Sequence, residues 1–555
     1  MQNRVSRVVC LSFLVWACGS TEPRVQPCAP ENSVAVGAIP LAIYSSITPS
    51  TDGCVLFSAN PGTDTIEFVV VAQSGATDPN RQVQFRLAGD ASLMAPAAIA
   101  SANLLASPKP SVAARFDAHL RAMEARQSYK TARTSGMAEL NLTQPPPFVG
   151  EVRSFKVCSS LTCPANMMTS VSSIAKAVGD HVALFVDQTA QSSLTQADYD
   201  EMVTEFDERL FPVDTLAFGQ PSDRDGNGMV IALMTPAINR LVSDSLCRED
   251  GFVAGYFFGA DIDPAADLNP NYNKAELFYA LVPDPNGQYS CPHTVERVRD
   301  LVPSVFVHEL QHMISFNYHV ILPEVSSLNT EVLWLNEALS HYAEELGGRT
   351  YMGSDPAKFS AYLSGNIRNA YDYLSNTGGH FLVANFGSGT LGERGAGWLF
   401  IRYLVDQMTA DTGQVAWGAV TRQLTQNTLV GPANVESVTG APFDQTLARW
   451  ALALWVSDLP GFTAPPELRY RSWAFRTTYG ALHPNPFPRP YPLEPTVALG
   501  PNVDFAGTLR SGSAGTYQRV LHPPGAAPFT LQMADVNGIA LHRSLAPRIT
   551  VIRVR

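Results

Sequence analysis

The stretch Val305-Phe-Val-His308-Glu309-Leu-Gln-His312-Met-Ile-Ser-Phe316 contains the pattern His-Glu-x-x-His. Because the two histidines stand four residues apart, a helix places both imidazoles on one face, where they can share a tetrahedral metal. Zinc lowers the pKa of water to about 7, and a neighbouring carboxylate, here Glu309, can take the proton as that water attacks an amide carbonyl. An ordinary amphipathic helix is the alternative. The apolar surroundings predict a buried helix with Pro303 in its first turn.

A catalytic zinc site usually has three protein ligands, so the sequence must supply one more. A metzincin would have Gly and His where this chain has Ser315 and Tyr318, and His319 is out of step by one residue. The other solution is a glutamate from a later helix. The segment 334–346 offers Glu337, with room for a loop before it.

The predicted second helix carries further polar residues on the face of Glu337. Ser340, His341 and Glu344 share this face. Zinc-bound histidines usually donate their second ring nitrogen to a carboxylate or carbonyl, so His341 and Glu344 are candidates for that supporting role. The alternative is that either one is a plain polar residue.

HELQHMISFN at 308–317, followed by WLNEALSHYAEEL at 334–346, resembles the hyicolysin-type family of gluzincin metallopeptidases, over residues 148–406. The resemblance implies zinc and a catalytic glutamate, with the ligands and the base at the positions already described. It also implies an α+β fold, in which a mixed sheet precedes the zinc-binding helices. Gluzincins commonly steady the oxyanion with a His or Tyr from outside the motif, so His380 and Tyr373 are candidates. Simple packing is the alternative for both.

Composition places the chain among globular proteins of several domains. It has 555 residues, with 45% hydrophobic and 16% charged residues, which is too long for one compact core. The net charge of −12 and the pI of about 5.4 argue against nucleic acid as a partner. The sequence does not indicate an oligomeric state.

The first residues have the pattern of an export signal. Residues 1–17 place Arg4 and Arg7 before a short apolar run, as in a signal peptide. Val15-Trp-Ala-Cys18 resembles a bacterial lipobox, so we expect a lipid on Cys18 and a tether over 18–33. The expected location is the outer membrane or cell surface, with soluble secretion as the alternative.

The remaining cysteines form an even set once Cys10 in the apolar run and the lipidated residue are set aside. In an exported chain such a set predicts disulfides. Sequence permits several connectivities, and proximity favours three pairs: Cys28 with Cys54, Cys158 with Cys163, and Cys247 with Cys291.

The order of predicted elements defines domains that surround the motif. Alternating apolar and polar residues predict a small β domain and a second, sandwich-like β module near the C terminus. Strands at 151–157, 181–187 and 229–234 and a helix at 196–210 open the catalytic region, and an exposed helix is expected at 111–128. The predicted divisions are a β domain at 34–105, a helical and Pro-rich linker at 106–147, a zinc peptidase domain with a helical subdomain at 148–460, and a β module at 461–555.

A second candidate metal site precedes the third predicted strand. Asp223, Asp225 and Asn227 alternate as in a calcium-binding loop of the EF type. The loop is incomplete, because Met234 stands where a bidentate Glu is expected. Asp-Gly and Asn-Gly are also strong turn formers, so a metal-free turn is an equal alternative.

The sequence supports two functions of different class. The leading hypothesis is a zinc endopeptidase at the cell surface that acts on protein or peptide substrates, with Glu309 as general base. The competing hypothesis is a binding lipoprotein or adhesin whose zinc site is structural or inactive. Glu309 separates them, because a structural zinc site does not require it.

Overall fold

The computed structural model describes residues 33–35, 40–48, 54–90, 109–126, 143–191, 193–267, 269–323, 329–385, 389–409 and 414–555. The predictions for the signal peptide, Cys18 and Cys28 concern residues outside these ranges. None of the helices in the described ranges is both long and apolar enough to cross a membrane.

A six-stranded mixed sheet forms the base of the catalytic region, in the order β10-β11-β9-β8-β7-β6. Strands β8, β9 and β11 run parallel to one another, while β6, β7 and the edge strand β10 pair antiparallel with their neighbours. The three predicted strands are present as β6, β8 and β9. The strand bounds are β6 Val152–Val157, β7 Thr169–Val178, β8 Val182–Asp187, β9 Val230–Met234, β10 Gly255–Phe257 and β11 Leu277–Ala280.

Helices cover this sheet and continue the same hydrophobic core towards the C terminus. The helix predicted at 196–210 begins after Thr195 with a capping box and passes into a π-helical turn over Phe206–Leu210. The α-helices described after β6 are Gln196–Glu205, Phe211–Ala217, Pro236–Asn239, Asp244–Asp250, Val295–Phe316, Leu333–Arg349, Pro356–Ser375, Leu391–Met408, Gln414–Thr425, Gly431–Thr439, Phe443–Val456 and Phe475–Ala481.

The two ends of the chain together form one β-sandwich, so the prediction of separate flanking β modules was wrong. One sheet has the order β1-β3-β15-β5-β13 and the other β12-β14-β4-β16-β2. Each therefore mixes N-terminal with C-terminal strands, and both contribute to one apolar core. The bounds are β1 Ser33–Ala35, β2 Tyr44–Ile47, β3 Cys54–Phe57, β4 Ile66–Ser74, β5 Gln82–Gly89, β12 Thr496–Leu499, β13 Asp504–Arg510, β14 Thr516–His522, β15 Phe529–Asp535 and β16 Pro547–Arg553.

The predicted boundary at residue 461 also lies too early. The Pro-rich segment after it packs on the helical region: Tyr479 donates a hydrogen bond to the Ile367 carbonyl at 3.0 Å, and Arg476 donates to the Trp455 carbonyl at 2.6 Å. The sandwich strands resume only at Thr496. The proline-rich segment is therefore an irregular part of the helical region and not the start of a β module.

The helix predicted at 111–128 is present at Val112–Arg126, but it is not exposed. Phe116 and Leu120 are 1% and 0% exposed, and the ring of Phe116 packs edge-on against Tyr256 of β10, with centroids 5.2 Å apart. Sequence spacing alone did not reveal what this helix packs against.

Candidate active site

The His-Glu-x-x-His residues lie in the second half of the long helix Val295–Phe316. The helix begins earlier than predicted, because the Thr294 side chain accepts a hydrogen bond from the Arg297 backbone amide and caps it. Pro303 consequently lies inside the helix and not in its first turn, which corrects the prediction. Both histidines lie past the proline, on the side that faces the helix Leu333–Arg349.

The structure brings His308, His312 and Glu337 together, and we call these three residues the histidine site. The two Nε2 atoms are 3.2 Å apart, and the carboxylate oxygens of Glu337 lie 3.6 Å from His308 Nε2 and 3.7 Å from His312 Nε2. A tetrahedral zinc with ligands at about 2.0–2.2 Å separates its ligand atoms by roughly 3.3–3.6 Å. The donor set therefore fits zinc in chemistry and in spacing.

The far side of each imidazole is held by an acceptor. His308 Nδ1 lies 2.7 Å from Glu344 Oε1, and His312 Nδ1 lies 3.1 Å from Asn336 Oδ1. Acceptors at Nδ1 fix the ring tautomer that leaves Nε2 free for a metal. Burial also lowers the pKa of His312 well below its ordinary value, which keeps that imidazole neutral, as a ligand must be.

Glu344 also contacts His341, whose Nδ1 lies 3.0 Å from the same Glu344 oxygen. Burial alone would raise the pKa of Glu344, but the charge of His341 and the hydrogen bonds from both histidines outweigh it and lower the pKa to about 2. Glu344 is therefore ionised at neutral pH and can accept from His308. The His341 ring also packs edge-on against the ring of His308, with the ring centroids 5.0 Å apart.

Glu309, the candidate base, lies between the site and the edge strand β10. One of its carboxylate oxygens accepts a hydrogen bond from the Phe257 backbone amide at 2.7 Å. Burial raises the pKa of Glu309 to about 7, because a desolvated carboxylate loses hydration that stabilises its charge. Two neighbouring carboxylates thus differ: Glu344 stays ionised, whereas Glu309 is poised to exchange a proton near neutral pH.

The helix Val112–Arg126 covers the histidine site, and we call it the cover helix. Its Asp117 lies 3.3 Å from Arg394 Nη2, while the other Arg394 nitrogen contacts the Glu337 carboxylate. Arg121 donates to the Phe257 carbonyl, and Glu124 accepts from the Gly259 amide at 2.6 Å. The sequence placed this helix in a linker and gave no sign of these contacts.

The two candidate oxyanion donors have other partners. The Tyr373 hydroxyl accepts a hydrogen bond from the Ala514 amide at 3.1 Å, which joins the helical region to the sandwich. His380 Nδ1 lies 3.1 Å from Glu393 Oε2. These contacts match the packing alternative for both residues. Two buried cations beside the site are Arg394 and Arg121, which no local sequence pattern distinguishes.

The fold adds a buried glutamate to the predicted calcium loop. Ligand atoms of Asp223, Asp225 and Glu276 lie within 4.8 Å of one another, and we call this group the carboxylate site. Asn227 Oδ1 accepts from the Met229 amide at 2.7 Å and its Nδ2 donates to Asp225, so its role as a ligand stays a prediction. Glu276 directly precedes β11, which pairs with β9, so only the fold brings it to the loop.

Two predicted disulfides are present within the described residues, Cys158–Cys163 and Cys247–Cys291. Cys54 is also disulfide-bonded, and its partner lies outside the described ranges, as Cys28 does. The pairing of these last two therefore stays a prediction.

One comparison with known proteins agrees with the site. The chain is 26% identical over 223 residues to the neutral metalloprotease ShpI of Staphylococcus hyicus, an alignment that covers 39% of this chain and 44% of that protein. No protein-family model matches the chain. The chain thus spans less than half of the relative that it matches. The similarity supports a relationship to a metallopeptidase, and through it a metal cofactor.

Proposed function

We propose that this protein is a zinc-dependent peptidase that hydrolyses protein or peptide substrates at the histidine site. The observation that carries the proposal is the convergence of three ligand atoms at zinc spacing, with the far nitrogen of each histidine held by an acceptor. His308, His312 and Glu337 would hold the metal. When bound, zinc would polarise the scissile carbonyl and lower the pKa of the attacking water.

Glu309 is the proposed general base. It is 7% exposed, and its pKa of about 7 lets it accept a proton from water and pass it to the leaving amine. Its hydrogen bond with the Phe257 amide fixes one oxygen, so that the other can face the water. Glu344 acts through His308 as a positioning residue.

The edge strand β10 offers a place for an extended substrate. Tyr256 is paired with Tyr279 of β11, and the adjacent Phe257 directs its amide to Glu309 and its carbonyl to Arg121, away from the sheet. An extended peptide can add to such an open edge by backbone hydrogen bonds. This would place its carbonyl groups beside Glu309 without selecting a particular side chain.

Calcium at the carboxylate site is a separate part of the proposal. Asp225 and Glu276 are 0% and 1% exposed, and one oxygen of Glu276 has no hydrogen-bond partner among the described residues. Burial and the nearby Glu276 charge raise the pKa of Asp225 to about 7. A hard divalent cation would relieve this repulsion with oxygen ligands.

Export and a lipid anchor on Cys18 complete the proposal, and they rest on the pattern of residues 1–18. Incorporation of labelled fatty acid into the parent chain, and its loss in the Cys18→Ser variant, is the expected result. Labelling of both proteins, or of neither, would contradict the anchor.

The peptidase proposal is tested with an unfolded protein substrate, with and without a zinc chelator, followed by sequencing of the fragments. Because the cover helix lies over the site, the assay uses the parent chain and a variant with Arg121→Ala and Glu124→Ala. Chelator-sensitive cleavage that returns with added zinc is expected in the variant. A zinc-loaded protein that cleaves nothing in either form would favour the alternative, a binding lipoprotein with an inactive zinc site.

A further inference from the structure

The cover helix uses the same backbone groups that an extended substrate would need at β10. Arg121 occupies the outward carbonyl of Phe257, and its guanidinium lies 5.5 Å from the centre of that residue's ring. Glu124 takes the Gly259 amide two residues further on. Arg121 and Glu124 also pair with each other at 3.1 Å, so the cover helix brings a matched donor and acceptor to the cleft.

Burial of the proposed ligands leaves a peptide no direct access to the histidine site. The His308 side chain is 14% exposed. Glu337 and His312 are only 3% and 4% exposed. A peptide therefore cannot reach the proposed zinc site while the helix remains in place.

Arg394 connects the cover helix to the site itself. One of its nitrogens contacts Glu337, a proposed zinc ligand, and the other lies 3.3 Å from Asp117 of the helix. The helix is thus held at Asp117 and, one to two turns further on, by the Arg121–Glu124 pair. Beside Asp117, Phe116 adds a packing contact with Tyr256.

The sandwich shows that the N-terminal region belongs to the folded protein. Strand β4 lies between β14 and β16, and β5 lies between β13 and β15. Loss of residues 34–147 would remove interior strands from both sheets and expose their apolar core. The cover helix, which follows β5 in the chain, is therefore attached to a region that must stay.

We propose, resting on the peptidase function above, that the cover helix is a retained internal inhibitor that gives access to the histidine site by displacement, while the N-terminal strands stay in place. Substrate would then compete with the protein's own helix for β10. The apparent substrate affinity is proportional to the fraction of molecules in which the cleft is open. Activity would therefore be regulated by whatever loosens this helix.

The test compares two variants of the full chain. The first carries Arg121→Ala and Glu124→Ala together, because loss of only one would leave a buried charge without its partner. The matched control is Arg115→Ala, which removes an exposed ion pair with Asp250 from the same helix. We expect kcat/KM for a peptide substrate to rise at least about tenfold in the double variant, since hydrogen bonds to charged groups shift an equilibrium by roughly that factor, and to stay within about twofold in the control.

A second measurement does not depend on catalysis. Hydrogen exchange of the cover helix and of residues 255–259 should be slow in the parent and faster in the double variant, with Arg115→Ala resembling the parent. Fast exchange of the helix in the parent, or equal kcat/KM in parent and double variant, would overturn the inference while leaving the peptidase proposal intact. Faster hydrogen exchange in the double variant without any chelator-sensitive cleavage would support the covering role of the helix and contradict the peptidase proposal.

Discussion

The histidine site and the carboxylate site both gather buried acids, but they balance charge in opposite ways. In the first, His308 and His341 surround Glu344, and the pKa of that carboxyl falls to about 2. In the second, burial and a neighbouring carboxylate raise the pKa of Asp225 to about 7. Hydrogen bonds alone thus hold the side chains of the histidine site in place. In the carboxylate site the acids repel one another, which favours the binding of protons or, as proposed above, of a cation.

The largest effect should come from removing a ligand of the histidine site. His312→Ala deletes one of the three proposed ligands and is expected to lose bound zinc, and with it all chelator-sensitive cleavage. The same change at the exposed His542 is the matched control and should alter neither. Zinc content by mass spectrometry checks the prediction, and a His312→Ala protein that keeps a full complement of zinc would place the metal elsewhere.

A smaller effect on zinc affinity is expected from changing the residues that hold the proposed histidine ligands. Glu344→Gln keeps the shape of the side chain but removes the charge that holds His308, and changes of this kind typically weaken metal binding by about 10- to 100-fold. Asn336→Ala removes a neutral acceptor from His312 and should cost less. Competition with a zinc-sensitive dye measures both. Unchanged affinity in Glu344→Gln would show that the site does not depend on this support.

The smallest effect should be the response of stability to calcium. The folded pKa of Asp225 is about 7 against an ordinary 3.8, so without metal the folded state retains a proton that the unfolded state releases between these values. Stability without calcium therefore falls as pH rises through this window. Calcium binds the ionised form, so its stabilisation should be larger at pH 8 than at pH 5, reaching about 2.7 kcal/mol at 100-fold the Kd.

Thermal unfolding with and without calcium at the two pH values provides the measurement. The variant with Asp225→Asn and Glu276→Gln should lose the response, whereas Asp535→Asn on strand β15 of the sandwich should keep it. An equal calcium response in the double variant, or a larger one at pH 5, would contradict the assignment of this site.

The two sites also differ in how many of their residues could be predicted from the sequence. The histidine site could be predicted from helical periodicity, because residues four apart share a face. Glu337 could be predicted because it lies on the next helix. Glu276 could not be predicted, because it lies far along the chain from Asp223. It reaches the loop through the pairing of strands β9 and β11. Asn227 was predicted from a local loop pattern, and such a pattern carries no information about Glu276.

The same limit applies to the larger organisation. The β strands were predicted from alternation, but alternation carries no information about partners, and the union of both chain ends into one sandwich was missed. The cover helix was predicted as a helix from the spacing of its apolar and polar residues. Its role depends on Arg121, Glu124 and Asp117 meeting groups on distant elements, and an isolated charged residue in a helix is more often solvated.

The most direct test of the central claim is Glu309→Gln in the chain with the loosened cover helix. The change removes the carboxylate that accepts a proton and leaves His308, His312 and Glu337 in place. We expect zinc content to stay near that of the protein without the Glu309 change, while kcat/KM falls at least about 100-fold, the lower end of general-base contributions. Cleavage at an undiminished rate, with zinc still bound, would contradict the proposed mechanism.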